Sequence, residues 1–563
     1  MSPRLRLLAG VAAIAVAAFI AYLPALNGGF IWDDELLITK NRLIDTSDGL
    51  YRIWLTIEAH DYWPVTNTSF WLEWRLWGMN RTGYHLTNLF LHIGASLLIW
   101  AILRKLSIPG AFLAALIFAV HPVNVESVAW IAQRKNTLAI FFFLLSILCY
   151  LKIEIPPSTT AEHFPQKTPP LSPGPRPPAL STWYWLSLLA FLLAMLSKGS
   201  VAILPVLLLG IVCWRRKLTR RDLVRTAPFF VVGAALAAVN VWFQTHGTGE
   251  VIRTAGITER LLGAGAIVWF YLYKAILPLN LAFVYPQWNI RVGNFLWWLP
   301  LLAAVSLTAL LWRYRKGWSR PFLFAWGFFC VSLIPVLGLT DVYFMKFTLV
   351  ADHYQYIAII AVIALAAAGW RRWHERVRAQ YRLVTVAAAG IATAALVFLT
   401  WQQSGLYCDA VTLYRDTLEK NHECWMAHNN LGNILFDEGR LSDAMYHFQE
   451  AKRLRPQDAE PYNNVGEVLS KLGRLPEAIE QFQHALEIKS DYDSAHYNLA
   501  LAYAKTNRPD QAIAMAQEAL NNARAKGQTE LARKIEDWLN AYRNNLSGSP
   551  NATPSGNPAP APP

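Results

Sequence analysis

Apolar residues come in long, nearly unbroken runs over the first 400 positions, then give way to a helical stripe of small and aromatic residues. The runs lie at 7–26, 84–103, 110–120, 137–151, 183–197, 200–214, 226–245, 262–280, 295–312, 321–340, 351–370 and 383–401. They reach or approach the roughly 17–25 residues a helix needs to cross a bilayer. Within hydrocarbon each backbone amide must be satisfied inside its own segment, so the pattern predicts helices. The run at 110–120 is short and continues toward Trp130. The first run ends on Pro24 and the bulky Leu26 with no small-residue cleavage site, which predicts a retained helix rather than a removed signal.

Charge then orients the runs. Basic clusters stand between them at Arg215-Arg216-Lys217, Arg220-Arg221, Arg313 with Arg315-Lys316, and Arg371-Arg372 with Arg376 and Arg378. Lys and Arg resist translocation, so these loops and the N-terminus, with Arg4 and Arg6, are expected in the cytoplasm. Loops 27–83, 121–136, 281–294 and 341–354 are then outside. Between Arg221 and Asn280 there are two apolar runs where the charges require an odd number of crossings. About eleven true spans are therefore expected, which carries the C-terminus outside with loop 27–83. The net charge of +13 is accounted for by these loops, and nucleic-acid binding is excluded as its explanation. A chain of 54% hydrophobic and 16% charged residues is an integral membrane protein. The proline-rich stretch 153–182 is expected as a connector and 546–563 as a disordered tail. Cys149, Cys213 and Cys330 sit in or beside apolar runs. Cys408 and Cys424 are too far apart along a helix for a disulfide.

A second pattern occupies the C-terminal quarter. Gly432, Gly466 and Ala500 recur at 34-residue spacing, as do Ala444, Ala478 and Ala512, and Ala451, Ala485 and Ala519. Phe448 and Phe482 share a position where the third unit has Ala516. Small residues where two antiparallel helices touch, with aromatics between them, are the signature of a tetratricopeptide solenoid. Ala410 and Tyr414 keep the phase one unit earlier, and 528–545 reads as a cap helix. The repeat segment is thus placed at 403–545, after a membrane segment at 1–402. Such arrays bind peptide or protein. Asn429, Asn430, Asn463, Asn464 and Asn498 read either as a clamp for a peptide backbone or as polar surface.

Loop 27–83 opens on Asn27-Gly-Gly-Phe-Ile-Trp-Asp-Asp-Glu35. Three acids directly after a span are costly unless they meet water, a cation or a substrate. On their own they read either as a general base, with or without a divalent cation at Asp33 and Asp34, or as a solvated loop start. His85 and His92 share one helix face and read as polar lining rather than as a metal pair.

Six short motifs stand in order: FIWDDE at 30–35, YWPV at 62–65, YHLTN at 84–88 with His92, HPVNVESVAWIAQRKN at 121–136, SKG at 197–199 and ADHYQY at 351–356. Together with the repeats, they make nearly the whole chain resemble the transmembrane-and-tetratricopeptide O-mannosyltransferases and their bacterial relatives, within the GT-C superfamily. The resemblance implies an all-α fold, with a polytopic GT-C-like bundle followed by an α-solenoid. It also implies a glycosyltransferase that takes a sugar, mannose in the family, from a polyprenyl-phosphate carrier in the membrane. The acceptor would be a protein hydroxyl on the extracytoplasmic side, recruited by the repeats. The family's catalytic acid lies in the first external loop, which matches Asp33 and Asp34, one as base and the other as its partner, and Glu35 supports them. An anionic phosphate leaving group calls for cations. Arg134 and Lys135, in the stretch with His121 and Glu126, fit that need, as do His353 and Tyr354; Lys198 and His85 support the site. Two departures stand out: the family carries arginine where this chain has His353, and glutamate where it has Gly199. A bacterial inner membrane is the expected location. Two rival readings stay open from sequence, a glycan- or lipid-modifying transferase of the same superfamily and a non-catalytic membrane scaffold that displays the repeats.

Overall fold

The computed structural model describes residues 2–59, 61–155, 181–247 and 252–547. Nearly all of the proline-rich stretch and of the expected tail lies outside these described residues. Among the described residues all regular structure is helical, and the chain divides into two compact units, Met1–Asn421 and His422–Pro563.

The first unit is a bundle of apolar helices. Six of them are long and apolar enough to cross a membrane: Pro3–Asn27, Arg81–Lys105, Ile131–Glu154, Arg220–Phe243, Phe295–Arg313 and Ala379–Gly405. Thr182–Ser197, Gly199–Arg215 and Arg320–Val336 are apolar but shorter. Ile257–Ile276 and Ile359–Arg376 occupy two more of the predicted runs and carry charged residues within them. The short run after Gly110 forms two helices, Ala111–Ala119 and Pro122–Ala129, bent by 51° at the break between them. The break has a local cause. Pro122 cannot donate to the preceding turn, and the Asn124 amide donates at 2.8 Å to the Phe118 carbonyl that the bend frees. Only 6% of the most apolar window of Phe295–Arg313 is buried, so most of that surface is left for lipid to cover. Where helices do touch, polar pairs join them: Ser146 and Ser187 each donate at 2.8 Å to the other's carbonyl.

The stretch expected as an external loop, 27–83, is itself folded. It forms Arg42–Asp45, Gly49–Leu55 and Pro64–Trp77 around a small core of Ile38, Leu43, Ile44, Ile53 and Phe70, closed by Tyr84 and Ile131. Ala410–Lys420, which keeps the phase of the repeats, is counted with the first unit. The Lys420 ammonium donates at 2.7 Å to the Leu281 carbonyl, and the Asn421 amide donates to Val284.

The second unit stacks antiparallel helix pairs: Trp425–Asp437 with Leu441–Leu454, Ala459–Lys471 with Leu475–Ile488, and Asp493–Lys505 with Pro509–Ala525. Thr529–Ser547 packs on the last of these. The periodic alanines at 444, 451, 478, 485, 512 and 519 are all fully buried between helices. A Cβ on Gly432 would stand 2.6 Å from the Phe448 ring, and one on Gly466 would stand 2.5 Å from the Phe482 ring. Close helix approach, rather than backbone freedom, is what these glycines supply.

Candidate functional site

The site is built where the chain leaves its first span. Gly28 passes so close to its neighbours that a Cβ there would stand 2.7 Å from the Tyr407 carbonyl and 3.0 Å from the His85 ring. Trp32 follows in a left-handed backbone conformation, φ +47°, which costs a bulky residue energy and marks a held turn. Its indole stacks on Trp130 at 5.9 Å and meets the rings of Phe283 and Phe347 edge-on. That aromatic cage fixes the two aspartates that come next.

Asp34 is buried, and both of its carboxyl oxygens are engaged. One accepts the Ile31 amide at 2.8 Å and the other the Ala132 amide at 2.6 Å. The Trp130 indole N–H donates to the Ile31 carbonyl, which completes a bracket between the first loop and the 121–136 stretch. Burial pushes the Asp34 carboxyl well above the usual carboxylate range, and the two amide contacts pull the other way without offsetting it. Asp33, half-buried beside it, is not enclosed in the same way. Glu35 turns outward and pairs with Lys40 at 2.6 Å, with both side chains largely in solvent.

Arg134 was expected at the donor phosphate, and the structure places its guanidinium elsewhere. It is fully buried, and it donates to Glu73 at 2.6 Å, to the Asn88 side chain at 2.5 Å and to the Tyr84 carbonyl at 2.8 Å. A guanidinium with these contacts holds Pro64–Trp77 and Arg81–Lys105 onto the helix it begins, and it presents no fork to a ligand. The physical reason is that a charge in this position requires a buried counter-charge, and Glu73 provides it. Lys135, one residue on, is half-buried, with its ammonium 4.5 Å from the centre of the Trp63 ring.

A second group of polar side chains gathers around 352–355. The His353 Nδ1 and backbone N–H meet the two Glu126 oxygens at 2.7 and 2.9 Å. Burial holds the His353 imidazole well below its ordinary value, and the cations Lys198 and Lys135 push it the same way. Lys198 donates at 2.6 Å to Asn136, whose own amide donates to Gln133. A cavity of about 30 Å³ lies among Asn136, Lys198, Ser200, His353 and Tyr354. The Tyr354 hydroxyl is buried there and makes no hydrogen bond among the described residues. Asp352 accepts from the Tyr285 hydroxyl at 2.9 Å, and burial, reinforced by Glu126, raises its carboxyl well above the ordinary range.

The structure thus brings Lys198, His353, Tyr354 and Glu126 together. Lys135 links this group electrostatically to Asp34, because it acts on both Asp34 and His353. The His121 ring is engaged by the Ala275 carbonyl at 3.2 Å. His92 is occupied by Tyr356 at 2.6 Å and by the Ala119 carbonyl at 3.0 Å. Among the described residues no three His, Cys, Asp or Glu side chains converge as a metal ion requires, and Asp34 already spends both oxygens on amides. The donor set does not fit a resident cation. Sequence reasoning passed over Glu73, Asn88, Asn136 and Asp352. Asn88, Asn136 and Asp352 lay inside motifs that were read for their charged or aromatic neighbours, whereas Glu73 had a signal of its own as one acid among the aromatics of a helix.

In the second unit the asparagines bond to one another across repeats. Asn464 donates to Asn429 at 2.9 Å and Asn498 to Asn463 at 3.0 Å, while Glu460 and Glu467 accept from Asn429 and Asn463 at 2.8 Å. Many of the amides that a peptide clamp would use are already engaged, most of them between neighbouring repeats.

Tetratricopeptide-repeat models match residues 432–473 and 457–525. The chain is 23% identical to the protein O-mannosyl-transferase F38B6.6 of Caenorhabditis elegans over 463 residues, covering 78% of this chain and 62% of that one. It is 24% identical to the protein O-mannosyl-transferase TMTC4 of Homo sapiens over 512 residues, covering 77% and 64% respectively. The chain therefore spans a little less than two thirds of the length of these curated relatives. Among solved structures, the TPR2B domain of yeast Sti1 is similar at 21% identity, with 22% of this chain and 97% of that chain covered and a TM-score of 0.21.

Proposed function

We propose that this relative of the protein O-mannosyl-transferases transfers a sugar from a polyprenyl-phosphate carrier to a protein hydroxyl, outside the membrane that its first unit crosses. Asp33 is the base and Asp34 the bracket that holds it. The observation behind this division is the pair of amides on Asp34. A buried carboxyl whose two oxygens both accept backbone amides is poorly placed to meet an acceptor hydroxyl, while its half-buried neighbour is held in place by the same turn. In the step itself the acceptor hydroxyl gives its proton to Asp33 and its oxygen bonds to the sugar's anomeric carbon. The bond from that carbon to the phosphate oxygen breaks, and the electron pair leaves with the polyprenyl phosphate. Lys135 and Lys198 are the cations that would meet that developing negative charge, and Tyr354 offers an uncommitted hydroxyl in the cavity with Lys198. The repeats hold the acceptor protein.

The test is transfer of radiolabelled mannose from polyprenyl-phosphate mannose in membranes, together with thermal stability of the purified protein. Asp33→Asn is expected to abolish transfer and to lower the melting temperature less than Asp34→Asn does. Asp34→Asn exchanges one acceptor oxygen for a donor, so one buried N–H loses its partner at a cost of about 1–3 kcal/mol. It is expected to lower both stability and transfer. Full transfer by Asp33→Asn would remove it as the base. Mass spectrometry of extracytoplasmic glycoproteins, with and without the gene, tests the acceptor class.

A further inference from the structure

A large, mostly apolar cavity lies well away from this site. It holds about 520 Å³ among Ile102, Leu144, Phe328, Ala364 and Ala368, enough to take up part of a hydrocarbon chain or a drug-sized group. Four helix ends meet at its mouth. Arg81–Lys105 arrives through Leu103 and Leu106, Leu204–Arg215 through Trp214, Arg320–Leu333 through Pro321, and Ile359–Arg376 through its last turn. Trp214 stacks on Phe324 at 4.7 Å, and Arg320 donates to the Trp214 carbonyl, so the mouth is a fixed structure. Every one of these ends is basic. Arg372 and Arg376, one helical turn apart, line the cavity directly. Neither has an acidic partner among the described residues, whereas the adjacent Arg371 is paired with Glu375 at 2.8 Å. Trp373 stands exposed between them, as tryptophan does at a bilayer interface.

We infer that this groove is a binding site for an anionic phospholipid, with its acyl chains among the apolar walls and its headgroup phosphate on Arg372 and Arg376. Charge complementarity selects this occupant. An apolar slot needs only hydrocarbon, but two unpaired arginines at its mouth favour a net negative headgroup over a zwitterionic one. The donor carrier is a poor candidate. Asn88, which bonds to Trp130 and Arg134 beside the aspartate bracket, is 18 residues along one helix from Leu106 at the mouth, or about 27 Å at 1.5 Å per residue. A phosphate at this mouth lies at the opposite membrane surface from the reacting carbon. The site is a second lipid contact, on the leaflet that the basic loops face.

Native mass spectrometry of the full chain, with phosphatidylglycerol and phosphatidylcholine of identical acyl chains in competition, tests this. The wild-type protein is expected to retain phosphatidylglycerol in preference, on the order of thirtyfold for two arginines. The Arg372→Gln/Arg376→Gln variant should lose that preference and Arg371→Gln should keep it. Ala368→Trp, which fills the slot, should remove retention of both lipids. Equal retention of the two lipids by wild-type protein overturns the assignment without reference to any variant. So does an equal loss in Arg371→Gln, or retention of polyprenyl phosphate in place of either phospholipid.

Discussion

At the scale of single residues, charge here is decided by what each group is given to bond with. Arg134 and Lys135 are adjacent and chemically alike, yet one is consumed by Glu73, Asn88 and Tyr84 while the other stands over Trp63. Sequence alone could not separate them, because the acid that claims Arg134 lies 61 residues earlier. His353 shows the same principle in a titratable group. Its folded-state value is depressed, so below the ordinary value near 6.5 an unfolded chain takes up a proton that the folded chain refuses. Its contribution to stability is thus present above that value and lost as pH falls through it. Burial raises its partner Glu126 to about 8, which acts in the opposite sense over the same window, so the histidine's share, approaching 1.4 kcal/mol per pH unit for one proton, is read as a difference between variants. In His353→Gln, whose amide can still donate to Glu126, the dependence of stability on pH between 5.5 and 7.5 should differ from wild type by that share. An unchanged dependence would remove the histidine as its source. Because the resemblance calls for arginine at this position, His353→Arg is an informative companion. A permanent cation there has to be met by Glu126, and the slope from this position should vanish in that variant too.

Elements were legible in the sequence to the extent that their cause is local. Most of the runs longer than about 17 residues became helices, since hydrocarbon length and backbone satisfaction leave little choice, but 351–370 is α-helical only from Ile359 and 321–340 stops at Val336. The repeats were legible because each unit buries the same small residues. The fold of 27–83 was not legible, because its core draws on Tyr84 and Ile131 from outside the segment. Nor was the aspartate bracket, since its second amide belongs to Ala132, 98 residues away. The repeat packing offers a sharp test. Gly466 approaches the Phe482 ring too closely for any side chain, so Gly466→Ala must push two helices apart or turn the ring. Overpacking of this kind costs about 1–3 kcal/mol, and the change is expected to lower the unfolding transition of the repeats by that amount. Gly473→Ala tests a different property of glycine. Its φ of +78° closes a helix in open space, so the cost there is backbone strain alone. Pairing Gly466→Ala with Phe482→Leu, which gives the methyl room, should recover part of the loss, whereas the same partner should not help Gly473→Ala.

For the whole molecule the question is which compartment each unit faces, and the charges and the chemistry constrain the answer together. The four helix ends at the basic mouth carry Arg104, Lys105, Arg215, Arg320 and Arg372, a concentration that the positive-inside trend would assign to a cytoplasmic surface. The aspartate bracket lies at the far end of Arg81–Lys105 from that mouth, so on that orientation the proposed chemistry falls outside. If the repeats present the acceptor, they must be outside as well, which requires an odd number of crossings. Cys424 is buried and Cys213 is exposed beside the basic end, so accessibility labelling should start from a chain whose other cysteines are replaced. Two reporters then suffice: Cys213 itself, and a cysteine at the exposed Asp443 in the repeats. A membrane-impermeant maleimide applied to cells with a permeable outer envelope is expected to label Asp443→Cys at once, and Cys213 only after the inner membrane is opened. Labelling of both only after opening would place the repeats in the cytoplasm. They could not then hold an acceptor for Asp33, and the transfer chemistry would have to find its acceptor without them.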